Sequence, residues 1–184
     1  MNYQDYQNAR DMSWRILLDC GVCALPVKIS GICAALGVAV KRYAPSGDSD
    51  GYCHIVNGKP TILVSHLSSP ERQRFTAAHE LGHILLGHVG RYALVSREPS
   101  PNDSPIEQAA NVFASRILAP ACVLWGLHAH TPEEIMSFCR ISYPAAVFRA
   151  ERMETLYRRD KFLTSALERE VCARFSDYIE AHRL

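Results

Sequence analysis

The sequence predicts an α+β fold, in which a small antiparallel sheet precedes the most informative helix and further helices follow. Apolar residues recur at helical spacing in residues 3–19 and 70–86, and again beyond residue 104, whereas residues 38–64 read as short strands. Strands confined to one stretch between helices are typical of α+β rather than alternating α/β chains.

The chain begins with two predicted helices. Residues 3–19 form the first, and Gly21 ends it. Pro26 is predicted to open a second, short helix because proline fits the first helical turn, and Gly37 ends that helix.

Three strands come next. Residues 38–43 form the first strand. Residues 52–56 and 61–64 form a hairpin, because they are joined through Asn57-Gly58, a dipeptide typical of two-residue hairpin turns.

The helix after the hairpin has a clear start in Ser68-Ser69-Pro70-Glu71, with a serine cap, a proline in the first turn and an acid that favours the helix dipole. A polar connection, residues 96–103, leads to a further helix that begins at Ser104-Pro105 and ends at Pro120. Residues 131–184 are predicted to form three helices, the first capped by Thr131.

We therefore predict a main domain over residues 1–130 and a helical extension, residues 131–184, packed on it, with one continuous domain as the alternative. A net charge of +1 provides no general attraction for nucleic acid or for an anionic membrane. Seven scattered cysteines, with a single Cys-x-x-Cys at Cys20–Cys23 and no signal peptide, favour reduced thiols and a cytoplasmic protein.

The most informative stretch is His-Glu-x-x-His at residues 79–83. On a helix, His79 and His83 lie on one face and can bind one ion. Glu80 lies about 100° around the helix axis, where it can reach a water at that ion. This is the pattern of a zinc hydrolase, in which two neutral histidines and an acid surround an open position.

A zinc site of this kind needs a third protein ligand, and Glu107 is the best candidate. Ala109 and Ala110 are small enough for its helix to approach the histidine helix closely. Residues 104–107 also form a capping-box sequence, in which Glu107 would instead return to the Ser104 amide. The local pattern leaves both interpretations open.

Two motifs occur in order along the chain: the segment Phe75–Leu86, which contains the histidines, and the pattern Glu107-x-x-Ala110-Asn111-x-Phe113-Ala114-x-x-Ile117-Leu118-x-Pro120. Together they resemble the ImmA/IrrE family of zinc metallo-endopeptidases. The resemblance covers roughly residues 25–150. Ile117-Leu118-Ala119-Pro120 stands where the family more often has Leu-Leu-Met-Pro, a difference of packing that affects no ligand.

The resemblance implies a zincin-like fold of the gluzincin type, with His79, His83 and Glu107 as zinc ligands and Glu80 as the catalytic base. It also implies a protein substrate, specifically a transcriptional repressor of the helix-turn-helix class. A non-cleaving module that sequesters such a repressor is the alternative. A third hypothesis, a hydrolase of formyl-peptides, would use Cys53 with the two histidines.

Several residues keep two interpretations. Asn111, one turn beyond Glu107, either supports a metal ligand from behind or makes an ordinary polar contact. Cys53 is either an ordinary strand cysteine or a thiol at the zinc. Five side chains are candidates for stabilising the oxyanion of a peptidase, each with an ordinary surface or core contact as the alternative: His88, Tyr92, His128, His130 and Tyr143.

Overall fold

The computed structural model describes residues 1–45, 49–89 and 104–184 of the chain. Helices and strands follow one another in these residues with the bounds α1 Tyr3–Asp19, α2 Ile29–Ala35, β1 Ala39–Tyr43, β2 Gly51–Val56, β3 Lys59–Ser65, α3 Pro70–Leu85, α4 Pro105–Leu118, α5 Ala121–Gly126, α6 Pro132–Cys139, α7 Tyr143–Arg158, α8 Ala166–Arg174 and α9 Ser176–His182. The predicted α+β class is confirmed.

The described chain divides into two compact units. Unit 1 comprises Met1–Ser13 and Lys28–Ala114, and unit 2 comprises Trp14–Val27 and Ser115–Leu184. Unit 1 contains the sheet and α3, whereas α5 to α9 belong to unit 2. The domain boundary predicted at residue 130 stays a prediction, because compactness alone does not show which segment folds independently.

The sheet of unit 1 has the strand order β1-β3-β2. β2 and β3 form the predicted antiparallel hairpin, and Asn57 and Gly58 both adopt positive φ, 49° and 75°, as a type I′ turn requires. β1 instead pairs parallel to β3, with Ala39 opposite Thr61. The prediction of a wholly antiparallel sheet was wrong for this pair. β2 occupies the other edge of β3, and the hairpin reverses the chain so that β3 runs parallel to β1.

The second helix begins later than predicted. Lys28 is the N-cap of α2, so Pro26 lies outside the helix. Leu25 and Val27 are both buried, and alternate burial favours an extended segment over a first helical turn. Gly37 ends the helix as expected, with φ of 68°.

The start of α3 is fixed both by its cap and by an ion pair. Ser69 Oγ accepts a hydrogen bond of 3.2 Å from the Arg72 amide, with Pro70 in the first turn as predicted. The Arg72 guanidinium donates bonds of 3.0 Å and 2.6 Å to Asp50 Oδ2, and Ser68 Oγ donates to Asp50 Oδ1 at 2.8 Å. These contacts tie the first turn of α3 to the residue before β2.

Two glycines allow close packing in unit 1. A Cβ at Gly51 would lie 2.4 Å from the Leu63 carbonyl oxygen and 2.6 Å from Thr76 Cγ2, so β2 passes closely between β3 and α3. A Cβ at Gly82 would lie 3.0 Å from the ring of Phe113. α3 and α4 therefore meet through Gly82, which lies between the two motif histidines.

Unit 2 has four helices after residue 131, one more than predicted. The predicted cap of α6 is a complete capping box, in which Thr131 Oγ1 accepts from the Glu134 amide and Glu134 accepts from the Thr131 amide. Ser165 caps α8, where its side chain accepts from the Glu168 amide. The predicted last helix is interrupted at the buried Phe175, which ends α8 and precedes α9.

One described segment, Pro105–Gly126, is long and apolar enough to cross a membrane by length and composition, but 78% of its 18-residue apolar window is buried inside the protein. A core helix has the same properties, so the segment is weak evidence for a membrane span. It is also divided, since α4 ends at Leu118 and α5 begins at Ala121.

Candidate metal centre

Helix α3 presents His79 and His83 on one buried face. Their exposed fractions are 2% and 1%, and their Nε2 atoms lie 3.0 Å apart. Spacing of four residues on a helix brings such side chains together. Neither ring is on the surface, so the pair is not a chance feature of a solvated helix face.

Glu107, in the first turn of α4, completes the cluster. Its Oε2 lies 3.1 Å from His79 Nε2 and its Oε1 lies 3.4 Å from His83 Nε2. Partial burial favours the neutral acid, but the two imidazoles beside the carboxylate outweigh it and hold the pKa of Glu107 well below its usual range. The carboxylate is therefore ionised, as a metal ligand must be.

The spacing of these atoms fits a metal ion. Zinc–nitrogen and zinc–oxygen bonds of about 2.0–2.1 Å in a tetrahedral site place ligand atoms about 3.3 Å apart. The three separations in the cluster, 3.0, 3.1 and 3.4 Å, are close to that value. Among the described residues, the metal-ligating group that comes together in this way consists of His79, His83 and Glu107.

The serine half of the capping box is compatible with this geometry. The Glu107 amide donates to Ser104 Oγ at 3.4 Å, while both carboxylate oxygens face the histidine rings. The Ser104 cap uses the Glu107 backbone and leaves its side chain for the cluster.

Both histidines have a partner on the ring edge away from Glu107. Asn111 Oδ1 lies 2.8 Å from His79 Nδ1, and His88 Nδ1 lies 3.0 Å from His83 Nδ1. Since an amide oxygen only accepts, His79 donates from Nδ1 and keeps the Nε2 lone pair for a metal. Asn111 thus supports a candidate ligand, as one of its two interpretations predicted.

Glu80 is fully buried, and neither of its carboxylate oxygens has a hydrogen-bond partner among the described residues. A buried carboxylate without a partner costs about 1–3 kcal/mol or more, so its retention calls for a function. A water at the neighbouring cluster would supply the missing donor.

Cys53, on β2, is 8% exposed and lies near Glu80. Burial and then the negative charge of Glu80 raise the pKa of the Cys53 thiol far above its usual value. Cys53 is not part of the cluster of ligand atoms found in the described residues, so it behaves as a buried neutral thiol beside the site.

Four other residues are candidates for stabilising the oxyanion. Tyr92 lies outside the described residues. His128, His130 and Tyr143 belong to unit 2, where His128 and His130 are exposed and Tyr143 is half-exposed. They stay predictions.

Sequence reasoning missed two features of the site. Gly82 was read as a wildcard of the motif, although its missing Cβ admits the Phe113 ring. The sequence predicts His88 to be either an oxyanion donor or an ordinary surface or core contact, whereas its ring lies against the ring of His83. Gly87, directly before His88, is the sequence signal for this contact, because a glycine at a helix end marks a turn that reverses the chain.

Comparison with known proteins agrees with this site. Residues 33–151 match the model of the peptidase M78 family, the IrrE N-terminal-like domain, over well more than half of the chain. The chain belongs to the peptidase M78 family. Its resemblance to ImmA/IrrE proteins is confirmed, and membership together with the His-His-Glu cluster indicates a metal site.

Among characterised members, the radiation response metalloprotease IrrE of Deinococcus radiodurans is 37% identical over 86 residues. The match covers 45% of this chain and 26% of that relative. The matched stretch therefore spans about a quarter of the length of that relative.

Proposed function

We propose that this protein is a zinc-dependent endopeptidase that cuts a specific cytoplasmic protein. The observation that carries the proposal is the convergence of His79, His83 and Glu107, within 3.4 Å, next to the buried and unbonded carboxylate of Glu80. Two neutral nitrogens and one carboxylate are the donor set of a catalytic zinc site with an open position.

Zinc bound here would lower the pKa of a water and polarise the carbonyl of a peptide. In that role Glu80 would accept a proton from the attacking water and return a proton to the leaving amine. Burial strengthens the electrostatic part of this role, because water does not screen the carboxylate.

The proposed substrate is a transcriptional repressor of the helix-turn-helix class. The resemblance to ImmA/IrrE proteins supports this choice. A cytoplasmic location is supported by seven cysteines that are all free thiols, three of them at least partly accessible: Cys20, Cys23 and Cys172.

The test uses the purified protein with a repressor encoded next to it. We expect one zinc per chain and a discrete cleavage product by mass spectrometry. Glu80→Gln keeps the size of the side chain but removes the base, so zinc is retained and the product disappears. Cleavage by the Glu80→Gln protein would contradict the mechanism.

The same variant separates catalysis from sequestration. If the protein only binds the repressor, Glu80→Gln still relieves repression in cells and no product is ever found. A peptidase instead loses relief of repression together with the product. Intact repression in the Glu80→Gln strain, with normal binding of the repressor, therefore supports catalysis.

A further inference from the structure

The chain folds back directly after α3. Leu86 ends the helix, and Gly87 adopts φ of 74°, the left-handed conformation that glycine adopts most easily. The Gly87 amide donates to the Ile84 carbonyl at 3.2 Å, and the His88 amide donates to the His83 carbonyl at 2.9 Å. These two bonds define a Schellman turn.

A Schellman turn places the residue after the glycine against the residue one turn back in the helix, usually through an apolar contact. Here those two residues are His88 and the candidate ligand His83. Their ring centroids lie 5.2 Å apart at 63°, and their Nδ1 atoms lie 3.0 Å apart. In this turn, a contact between two imidazoles therefore takes the place of the usual apolar contact.

Two nitrogens at this distance share one hydrogen, since two N–H groups would repel and two lone pairs would leave no bond. A neutral imidazole carries its hydrogen on one nitrogen only. If His88 donates, His83 has its hydrogen on Nε2 and cannot bind a metal through that atom. If His83 donates from Nδ1, its Nε2 lone pair faces Glu107 and His79.

We infer that His88 is a positioning residue, which accepts the Nδ1–H of His83 and so selects the form of His83 that binds the metal. The inference rests on the proposed function, because it requires a metal at the cluster. His88 acts through His83 and does not itself contact the ion or the substrate.

The two ligand histidines are then held in the same way. Asn111 accepts from His79 at 2.8 Å and His88 accepts from His83 at 3.0 Å, each at Nδ1. An acceptor behind a ligand histidine fixes both the tautomer and the ring orientation. Asn111 is supplied by α4, whereas His88 is supplied by the turn that ends the ligand helix.

The first test measures the zinc dissociation constant by competition with a chromophoric chelator. We expect His88→Ala to bind zinc about 10–100-fold more weakly than the unchanged protein. His88→Asn should restore most of the affinity, because the Asn Oδ1 lies near the position of Nδ1 and can only accept. His88→Gln should not restore it, because its oxygen lies nearer the position of Nε2.

The matched control is His66→Ala. His66 is an exposed histidine of unit 1 whose Nδ1 contacts the Tyr43 carbonyl oxygen at 2.9 Å, away from the cluster. Its removal costs one hydrogen bond of a ring nitrogen and should leave zinc affinity unchanged. Equal affinities for His88→Ala and the unchanged protein, or equal losses for Ala and Asn at residue 88, would overturn the inference.

The second test reads the tautomers directly. Long-range proton–nitrogen spectra of the zinc-loaded, ¹⁵N-labelled protein should show His83 protonated at Nδ1 and His88 protonated at Nε2. A hydrogen on His88 Nδ1 would overturn the inference while leaving the proposed peptidase intact. Failure of the unchanged protein to bind zinc would overturn both the role of His88 and the proposed function. Absence of cleavage with normal zinc binding would overturn the proposed function alone.

Discussion

Asn111 Oδ1 lies 2.8 Å from Nδ1 of His79, on the opposite ring edge from the Nε2 atom that faces Glu107. Asn111, which supports one candidate ligand, and Glu107, which is another candidate ligand, therefore lie one turn apart on α4. Placing both on one helix couples the orientation of His79 to the position of Glu107.

Replacing Asn111 with Leu should weaken zinc binding by about 10–100-fold, because His79 loses the acceptor that fixes its tautomer. Asn111→Asp is the matched control, since its carboxylate oxygen can accept the same hydrogen bond. Competition titration with a chelator measures both. Affinity of the Leu variant equal to that of the unchanged protein would show that Asn111 makes only a structural contact.

Glu107→Ala should abolish stoichiometric zinc binding, because the carboxylate lies within 3.4 Å of both histidine nitrogens. Cys53→Ala should keep one zinc per chain, because the thiol is not among the converging ligand atoms in the described part of the chain. The measurement is zinc per chain by elemental analysis after dialysis. Loss of zinc in the Cys53 variant alone would instead favour the cysteine-ligated site of a formyl-peptide hydrolase.

The sequence predicted those parts of the site that depend on local rules. Four-residue spacing placed His79 and His83 together, and the cap at Ser69 and the Asn57-Gly58 turn followed from backbone preferences. The prediction of Glu107 as a ligand needed the family resemblance, because residues 104–107 also fit a capping box. Only the position of the Glu107 side chain distinguishes these two interpretations.

The sequence could not predict features that depend on which elements meet. The parallel pairing of β1 with β3 depends on the path of the chain around the hairpin. The alternation of side chains along each strand does not encode that path. The contact of Gly82 with Phe113 depends on how two helices pack. His88 lies behind His83 only because the chain reverses at Gly87.

Gly51→Ala should destabilise the protein by about 1–3 kcal/mol, because its Cβ would overlap the Leu63 carbonyl oxygen, a backbone atom that cannot move alone. Gly31→Ala is the matched control. Gly31 is exposed in α2, and the nearest atom to its added Cβ is 3.9 Å away. There the same change should stabilise the protein by about 0.5–1 kcal/mol through helix propensity.

Urea unfolding followed by circular dichroism measures both free energies. Opposite signs for the two substitutions are the expected result. A Gly51→Ala protein as stable as the unchanged chain would mean that β2 does not pass between β3 and α3 as closely as described.

The ion pair between Asp50 and Arg72 should make stability depend on pH in acid. Partial burial tends to raise the pKa of Asp50, but hydrogen bonds from Arg72 and Ser68 outweigh it and hold the pKa below its usual value. The folded protein therefore binds a proton at Asp50 less readily than the unfolded chain, whose aspartate has a pKa of about 3.9.

A lowered folded pKa means that the stabilisation is complete above the unfolded pKa and is lost as pH falls through the folded one. At neutral pH, Asp50→Asn should lower the free energy of unfolding by about 1 kcal/mol, a value reduced for the partial exposure of both partners. Below about pH 4 the difference between the variant and the unchanged protein should shrink toward zero.

The measurement is urea unfolding at a series of pH values, with Asp11→Asn as the control. Asp11 pairs with the adjacent Arg10 at 2.7 Å on a more exposed surface, so its replacement should have a smaller effect. A difference for Asp50→Asn that stays constant from neutral pH down to acid would contradict the prediction. It would mean that the contact between Asp50 and the first turn of α3 stabilises the protein through its shape rather than through its charge.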